Sequence, residues 1–336
     1  MMDPTKKEVL LEVKDLCMHY PVQGGFFDKT KGVVKAVDGV SFKLYKGSAF
    51  GLVGESGCGK TTIGRLILKV MKPTKGSITF HDDVIGPIEL VPLSNKKMRP
   101  LRKKIQMVFQ DPYASLDPRM TIQQIVGEPL RAGGRGDLRD YKNKIADILL
   151  KSGLSPDYMD QYPHAFSGGQ RQRIGIARAL VTQPQLVVAD EPVSALDVSV
   201  QAQILNLLKE LQRVFDLTYL IIAHDLSVIR YLCDTLAVMY VGRIVEIGRS
   251  EDIFNRPAHP YTEGLLSIIP RISTKTKPGK MLKGVVADAS NLPTGCHFYP
   301  RCPYAQEICK KEYPPLRNVA ENHQVACHFD LNLNGI

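Results

Sequence analysis

The chain has 336 residues, of which 44% are hydrophobic, and its formal net charge is +10. That length suffices for a full hydrophobic core, in one large domain with a smaller one beside it. No apolar run approaches the roughly 20 residues that span a bilayer, so no membrane-spanning helix is expected. Residues 1–8 are charged, so no secretory signal is expected. The positive charge fits nucleic acid, an anionic membrane surface or solubility alone, but no nucleic-acid-binding module accompanies it, and no nucleic-acid partner is expected.

Short apolar runs bounded by glycine or polar residues predict the buried strands of an α/β protein. These runs are Phe50–Val53, Ile105–Phe109, Leu186–Ala189 and Tyr219–Ala223. Apolar residues at helical spacing predict two amphipathic helices, with stripes of Ile174, Ala177 and Val181 and of Ile204, Leu205, Leu208 and Leu211. Strands that alternate with helices favour a mostly parallel sheet covered by helices.

Three N-terminal strands are predicted without helices between them, so we expect an antiparallel flank on this core. They are Val9–Val13, Gly39–Leu44 and Ser77–Phe80. A β-hairpin is expected around Val241-Gly242, after the last core helix.

Changes in helical pattern and in proline content along the chain predict its division into domains. Helical patterns over residues 111–163 predict an inserted helical subdomain. Prolines become frequent from about residue 250. We therefore expect a large domain over residues 1–250 and a small cysteine-rich C-terminal domain over residues 251–336, joined by the basic linker Ser273–Lys283.

A phosphate-loop pattern lies between a predicted strand and a predicted helix, over Gly54-Glu55-Ser56-Gly57-Cys58-Gly59-Lys60-Thr61. Its glycines let backbone N–H groups face phosphate oxygens, while Lys60 supplies charge for the outer phosphates and the Thr61 hydroxyl suits Mg²⁺. Thr62 belongs to the same helix start and joins the nucleotide-binding candidates. Cys58 is expected to be a small loop residue, with a redox-sensitive thiol as the alternative.

Polar residues follow three other predicted strands, at the edge where ligands of open α/β sheets collect. Asp190 is placed to hold Mg²⁺, and Glu191 to orient or deprotonate the water that attacks the γ-phosphate. Gln110 could offer its amide oxygen to Mg²⁺ or to that water, and His224 could sense the γ-phosphate by a hydrogen bond. Taken alone, Gln110 would be an ordinary turn residue and His224 a structural histidine.

A second glycine-bearing helix start lies at Ser167-Gly168-Gly169-Gln170. Its backbone N–H groups and helix dipole favour an anion. Because this turn cannot reach the same nucleotide within one compact subunit, we expect an ATP site that another molecule completes.

Together these motifs resemble the ATP-binding cassette (ABC) superfamily over roughly residues 8–250. The phosphate loop is similar to its Walker A motif, Leu186–Asp190 to Walker B with Glu191 as the catalytic carboxylate, and Ser167–Gln170 to its signature. Gln110 looks like its Q-loop, Ser194–Asp197 like its D-loop, and His224 like its switch histidine. Phe166 departs from the usual leucine before the signature. The resemblance implies a P-loop NTPase with a RecA-like parallel sheet, an antiparallel β flank and an inserted helical subdomain.

The resemblance also implies that two cassettes face head to tail. Each signature then binds the γ-phosphate held by the partner's Walker A motif, and Asp197 reports on that phosphate across the interface. The second cassette is an identical copy or a sister chain. Tyr20 occupies the place where the family stacks an aromatic ring on adenine, with Phe26 and Phe27 as alternatives.

Two further segments narrow the resemblance. Phe109–Arg119 and His259-Pro260-Tyr261-Thr262 look like those of the ATPase subunits of oligopeptide and dipeptide importers. This implies peptide import through membrane permease subunits that dock after Gln110, an extracellular peptide-binding protein, and a peripheral location on the cytoplasmic face of the membrane. Import of nickel or a sugar, or a soluble ABC ATPase without a transport role, are the alternatives.

Four of the seven cysteines, Cys296, Cys302, Cys309 and Cys327, fall in the expected C-terminal domain, which has few large apolar residues. Disulfides fit poorly with a reducing compartment, and zinc usually takes closer cysteine pairs, although nearby histidines could substitute. Four thiolates can hold a [4Fe–4S] cluster. The resemblance to peptide importers implies such a cluster, and zinc or unligated thiols stay open as alternatives.

Overall fold

A computed structural model describes residues 8–21, 32–132, 138–268, 284–285, 287–329 and 331. The expected linker Ser273–Lys283 and the adenine-stacking alternatives Phe26 and Phe27 lie outside these residues. Across the described ranges, none of the helices combines the length and apolar character that a bilayer crossing requires.

The strands of the described chain alternate with helices over much of its length. In chain order the strands are β1 (Val9–Pro21), β2 (Val33–Tyr45), β3 (Ala49–Val53), β4 (Lys75–Asp82), β5 (Gly86–Glu89), β6 (Ile105–Val108), β7 (Leu186–Asp190), β8 (Thr218–Ala223), β9 (Thr235–Tyr240), β10 (Arg243–Arg249), β11 (Arg317–Ala320) and β12 (His323–Val325). The helices are α1 (Lys60–Ile67), α2 (Asn95–Met98), α3 (Ile122–Ala132), α4 (Leu138–Lys151), α5 (Gly168–Leu180), α6 (Val198–Phe215), α7 (Leu226–Leu232), α8 (Ser250–Asn255), α9 (Pro260–Ser267) and α10 (Glu307–Lys311).

The chain forms two compact units, each assembled from separate stretches of sequence. The first unit comprises Met1–Leu11, Leu44–Ala49 and Phe80–Ile222, and the second comprises Glu12–Lys43, Phe50–Thr79 and Ala223–Ile336. The predicted domain boundary at residue 250 stays a prediction.

Three parallel strands form the centre of the first unit, in the order β8-β7-β6. Every residue of β7 and β8 is buried, as expected for parallel strands with both faces covered. The predicted strands therefore form, and α5 and α6 pack against each other beside them.

The buried stripe of α6 differs by one residue from the predicted stripe. Ile204, Leu207, Leu208 and Leu211 are buried, whereas Leu205 is only half-buried. A helix turns about 100° per residue, so Leu205 lies off the face that Ile204, Leu208 and Leu211 define, and Leu207 completes that face.

Helices α3 and α4 lie in the segment predicted to be a helical insertion. Both pack against α5, which begins with the signature turn. Ile125 and Val126 of α3 and Leu149 of α4 are buried. The segment after Gln110 is thereby packed within the same unit as the signature helix.

Five strands of the second unit follow the order β11-β12-β10-β9-β3. Strand β3 runs parallel to β9, whereas β9, β10, β12 and β11 pair antiparallel in turn. The hairpin predicted between β9 and β10 is confirmed. Its two turn residues, Val241 and Gly242, have φ values of 38° and 81°, the left-handed pair that a two-residue hairpin turn requires.

The predicted N-terminal flank is a four-stranded sheet in the order β2-β1-β4-β5. The prediction that no helix lies between its strands is wrong, because α1 lies between β2 and β4 along the chain. Strands β1 and β2 each extend over 13 residues, well beyond the predicted segments. Strand β5 was not predicted, because Gly86–Glu89 has no apolar alternation to mark it.

Candidate functional site

The phosphate loop joins β3 to α1 in the second unit, as predicted. Two of its glycines are dictated by sterics. A Cβ atom on Gly54, whose φ is 153°, would lie 2.2 Å from the Met239 carbonyl oxygen, and one on Gly59, whose φ is 106°, would lie 2.1 Å from the Ala36 carbonyl oxygen. The loop is therefore packed against the backbone of two neighbouring strands, and no other residue fits at these positions.

Lys60 begins α1 and folds back over the loop. Its side chain is buried, and its Nζ donates to the carbonyl oxygens of Gly54 at 2.7 Å and Glu55 at 3.0 Å. Thr61 and Thr62 follow in the first turn of the helix. The ammonium group therefore lies within the loop itself, and its contact with the outer phosphates stays a prediction.

Cys58 behaves as a loop-packing residue. It is buried, and burial raises the pKa of its thiol despite the nearby Lys60 ammonium. Because a thiolate is needed for redox reactivity, the interpretation of Cys58 as a small loop residue is favoured over a sensor thiol.

Glu55 receives two contacts that the sequence did not predict. Its backbone N–H donates to the Tyr261 hydroxyl at 2.9 Å, and its carboxylate accepts two hydrogen bonds from the Arg301 guanidinium. Tyr261 was a marker of the resemblance only, and Arg301 had no predicted role.

In the first unit, Asp190 is the last residue of β7 and Glu191 follows it, so both lie at the carboxyl end of the strand, as predicted. Asp190 is buried at the end of the strand. Glu191 leaves the strand with a φ of 46°, and its N–H donates to the Ile222 carbonyl oxygen at 2.8 Å. The amide of Gln110 donates to the Glu191 carboxylate at 2.8 Å, so the structure brings these two predicted residues together.

His224 and Tyr20 lie in the second unit. His224 is exposed directly after β8, ahead of Asp225, which caps the N-terminus of α7. Tyr20 is half-buried near the end of β1, and its hydroxyl donates to the Met71 sulfur at 3.6 Å. The exposed imidazole and the half-exposed ring remain accessible to a ligand.

The signature turn is held by a capping box. The Ser167 hydroxyl accepts from the Gln170 N–H at 3.4 Å, and the Gln170 side-chain oxygen accepts from the Ser167 N–H at 3.0 Å. These two contacts satisfy backbone donors at the start of α5. The remaining first-turn N–H groups of the helix, on Gly168 and Gly169, are those predicted to face a phosphate.

Both signature glycines lie in close packing. A Cβ on Gly168 would lie 3.3 Å from the Tyr113 hydroxyl, and one on Gly169 would lie 2.5 Å from a Val200 methyl group. The Arg171 guanidinium lies 4.3 Å from the centre of the Tyr113 ring. The segment after Gln110 thus contacts the signature turn directly.

Asp197 in the D-loop caps the N-terminus of α6. Its carboxylate accepts from the Ser199 hydroxyl at 2.7 Å and from the Val200 N–H at 3.0 Å, and these contacts lower its pKa. Within one chain this side chain is a helix cap, and its predicted role across a dimer interface stays a prediction.

The four C-terminal cysteines line a single cavity in the second unit. Cys296, Cys302, Cys309 and Cys327 surround it together with aromatic and histidine side chains. Among the described residues, no disulfide joins any of the seven cysteines. Burial raises the pKa of Cys296 to about 12 and that of Cys302 to about 11. The structure therefore brings together the four cysteines that the sequence singled out.

Known proteins resemble this chain over nearly its full length. Residues 37–194 match the ABC transporter family, and residues 245–309 match the C-terminal region of oligopeptide/dipeptide transporters. The oligopeptide transport ATP-binding protein AppF of Bacillus subtilis is 48% identical over 98% of this chain and 99% of its own length.

Two solved structures share the fold of the cassette. The ATP-binding cassette MJ0796, in a dimeric post-hydrolysis state bound to ADP and Pi, superposes with a TM-score of 0.61 at 27% identity, over 72% of this chain and 99% of that one. CbiO1 of Clostridium perfringens, part of the ABC transporter complex cbiONQ, gives a TM-score of 0.62 at 27% identity, over 74% of this chain and 92% of that one.

Proposed function

The chain belongs to the ATP-hydrolysing ATP-binding proteins of the ABC transporter family, and from that membership we propose that it powers the import of peptides through a membrane permease. The observation that carries this proposal is the likeness to an oligopeptide transport ATP-binding protein over nearly the full chain, C-terminal region included. That region lies outside the part matched by the general ABC transporter family, so it separates the peptide group from ABC ATPases in general.

The nucleotide chemistry follows from the side chains of the motifs. Lys60 would bind the outer phosphates of ATP, and the Thr61 hydroxyl and the Asp190 carboxylate are the groups that would hold Mg²⁺. Gln110 would contribute its amide oxygen to the metal or to the attacking water. Glu191 polarises that water, and this assignment is supported by its hydrogen bond to Gln110.

We propose further that two cassettes act together, each supplying a signature to the other's ATP. The capping box supports this because it holds the start of α5 rigid while leaving the N–H groups of Gly168 and Gly169 for an external anion. His224 and Asp197 then report whether the γ-phosphate is present. The partner is a second copy of this chain or a sister cassette.

The permease would dock on the segment after Gln110. In the first unit this segment contacts the signature turn through Tyr113, which is itself 56% exposed. A membrane partner seated there would therefore move the signature and Gln110 together. This docking places the protein at the cytoplasmic face of the membrane, with an external peptide-binding protein delivering the solute to the permease.

Uptake by cells tests the peptide assignment. Cells whose only copy carries Glu191→Gln should lose uptake of labelled peptides and keep uptake of nickel and sugars, whereas the surface control Glu210→Gln should keep all three. Loss of nickel or sugar uptake with normal peptide uptake would reassign the solute. Purification from native membranes should recover integral permease subunits, and stoichiometric recovery on nucleic acid or ribosomes would overturn the transport role.

For the cysteine cavity we propose a [4Fe–4S] cluster held by Cys296, Cys302, Cys309 and Cys327. Their spacing supports a group larger than one ion. Among the described residues, only one group of three potential metal ligands (His, Cys, Asp or Glu) has all its ligand atoms within 4.8 Å of one another. That group is Cys17, His19 and Asp38. No three of the four cavity sulfurs are that close, whereas tetrahedral zinc with Zn–S bonds of about 2.3 Å would draw them to about 3.8 Å.

The cluster, when bound, would cross-link four points of a region poor in large apolar residues. Protein purified without oxygen should contain iron and acid-labile sulfide in equal amounts. Cys309→Ser should lose both, while Cys17→Ser, which changes a thiol elsewhere in the chain, should keep both. Zinc without sulfide would refute the cluster in favour of the zinc alternative, and protein with neither would leave the thiols unligated.

A further inference from the structure

We propose that Arg301 and Tyr261 are positioning residues for ATP binding, and that both act through Glu55 of the phosphate loop. The inference takes nucleotide binding by the phosphate loop as its premise and adds residues from the C-terminal part of the chain. Neither residue belongs to the phosphate loop, but both hold Glu55, whose carbonyl oxygen accepts a hydrogen bond from Lys60 Nζ.

The first contact is a paired ionic hydrogen bond. The Arg301 guanidinium donates to both Glu55 carboxylate oxygens, from Nη1 at 2.7 Å and from Nη2 at 3.0 Å. The Arg301 side chain is only 6% exposed and that of Glu55 is 26% exposed. Two parallel bonds fix both the distance and the orientation of the carboxylate, and burial shields them from solvent, unlike an ordinary surface ion pair.

The second contact holds the backbone of the same residue. The Tyr261 hydroxyl accepts from the Glu55 N–H at 2.9 Å. The Tyr261 ring is fully buried, with its centre 4.8 Å from that of Tyr240 and 5.4 Å from that of Phe298. Because the ring is fixed by this aromatic cluster, the hydroxyl is a rigid acceptor and the Glu55 N–H is bound by protein.

The third contact passes from Glu55 to the lysine. The Glu55 carbonyl oxygen accepts from Lys60 Nζ at 3.0 Å, beside the bond from Lys60 to Gly54. The N–H, the side chain and the carbonyl of Glu55 are therefore all engaged. A shift of Glu55 would displace the carbonyl oxygen on which the phosphate-binding ammonium group rests, and small displacements of such groups weaken binding.

The position of Arg301 in the chain connects its contact with Glu55 to the cysteine cavity. Arg301 ends the short turn Tyr299–Arg301, which lies between two cysteines of the cavity, Cys296 and Cys302. Its guanidinium also lies 5.8 Å from the centre of the Tyr240 ring and 5.9 Å from that of Phe298. The C-terminal region thus presents one arginine to a glutamate 246 residues earlier in the chain.

A double-mutant cycle on the full-length protein tests the proposal. The dissociation constant of Mg·ATPγS is measured for Arg301→Ala, Glu55→Ala and the double variant. Each single change should raise it by about tenfold, and the double variant should bind no more weakly than either one, because both remove the same contact. For hydrolysis, Arg301→Ala should raise KM by a similar factor and change kcat much less.

Matched tyrosine variants separate positioning from a general loss of stability. Tyr261→Phe removes the acceptor for the Glu55 N–H, while Tyr219→Phe removes another fully buried hydroxyl, which donates to the Leu208 carbonyl oxygen at 3.2 Å. Only Tyr261→Phe should weaken nucleotide binding. Arg301→Lys keeps the charge without the paired geometry and should fall between wild type and Arg301→Ala.

Three results would overturn the inference: unchanged affinity in Arg301→Ala, additive effects in the double variant, or equal weakening by Tyr219→Phe and Tyr261→Phe. Wild-type protein that binds no Mg·ATPγS would refute the nucleotide site itself. The failure of the positioning role and the failure of the proposed ATPase function are therefore distinguishable.

Discussion

The side-chain amide of Gln110 donates a 2.8 Å hydrogen bond to the carboxylate of Glu191. Strands β6 and β7 run parallel with Val108 opposite Ala189, so the two polar residues leave the sheet side by side. The contact joins the residue proposed to polarise water to the segment proposed to receive the permease. A displacement of that segment would reach the carboxylate directly, without any change in the phosphate loop.

Replacing Glu191 by glutamine should slow ATP hydrolysis by about 100-fold or more while leaving ATP binding intact, because the variant loses the base but keeps the shape. ATP should then hold two cassettes together long enough for dimers to be seen by size-exclusion chromatography. Near-normal turnover would contradict the assigned role of Glu191, and Lys60→Ala should differ by weakening nucleotide binding itself.

Ser167 can be changed so that its capping role is separated from its role toward phosphate. Aspartate caps helices as well as serine does, so Ser167→Asp should keep thermal stability but repel the γ-phosphate of a partner and abolish ATP-dependent dimerisation. Ser167→Ala should lower the free energy of unfolding by about 1 kcal/mol. Dimers of Ser167→Asp that form as readily as wild-type dimers would show that this serine does not face the nucleotide.

Gly169→Ala should destabilise the protein by about 1–3 kcal/mol, because its Cβ would lie 2.5 Å from a Val200 methyl group. The Gly169→Ala/Val200→Ala double variant removes that methyl group and should recover most of the lost stability. Gly175→Ala in the same helix is the control: its Cβ would have no neighbour within 4 Å, so alanine should stabilise α5 by about 0.5–1 kcal/mol. Urea unfolding distinguishes these outcomes.

Asp38 should give the protein an acid-sensitive contribution to stability. Burial raises its pKa, but hydrogen bonds from Arg243 and His19 outweigh this effect and leave the pKa below its ordinary value of 3.8. A lowered carboxyl pKa stabilises the fold above the ordinary value, and this stabilisation is lost as the pH falls through the lowered pKa.

Asp38→Asn should therefore unfold with about 3 kcal/mol less free energy than wild type at pH 7. The difference should narrow as the pH falls below 3.8. The exposed pair of Asp147 with Lys151 offers a control, since Asp147→Asn should change stability by about 0.5 kcal/mol at pH 7. If the difference in unfolding free energy between Asp38→Asn and wild type were the same at pH 7 and below pH 3.8, the charge of Asp38 would not contribute to stability.

Contiguous motifs explain how much of the candidate site was predictable. The phosphate loop and the signature turn each consist of a few consecutive residues, and each forms the N-terminal start of a helix in the structure. The pairing of Gln110 with Glu191 spans 81 residues, yet it follows from two adjacent parallel strands that end at the same edge. Local pattern and sheet topology suffice for such contacts.

The contacts of Glu55 were not predictable in this way. Arg301 precedes Cys302 in a proline-containing turn, and nothing in that turn indicates a partner 246 residues away. Strands β11 and β12 were missed for a related reason, since β11 alternates only between exposed and half-buried residues and has no apolar face. Where a pairing depends on how the C-terminal chain packs, the sequence pattern alone does not determine it.

The φ of 46° at Glu191 places a residue with a long side chain in the left-handed region, at a cost of about 1 kcal/mol. Glycine or asparagine would adopt this conformation with less strain, but neither carries a carboxylate. Selection for a stable fold and selection for turnover therefore favour different amino acids at this position. A duplicated gene relieved of ATP hydrolysis would be expected to drift to one of those two residues here and to gain stability in doing so.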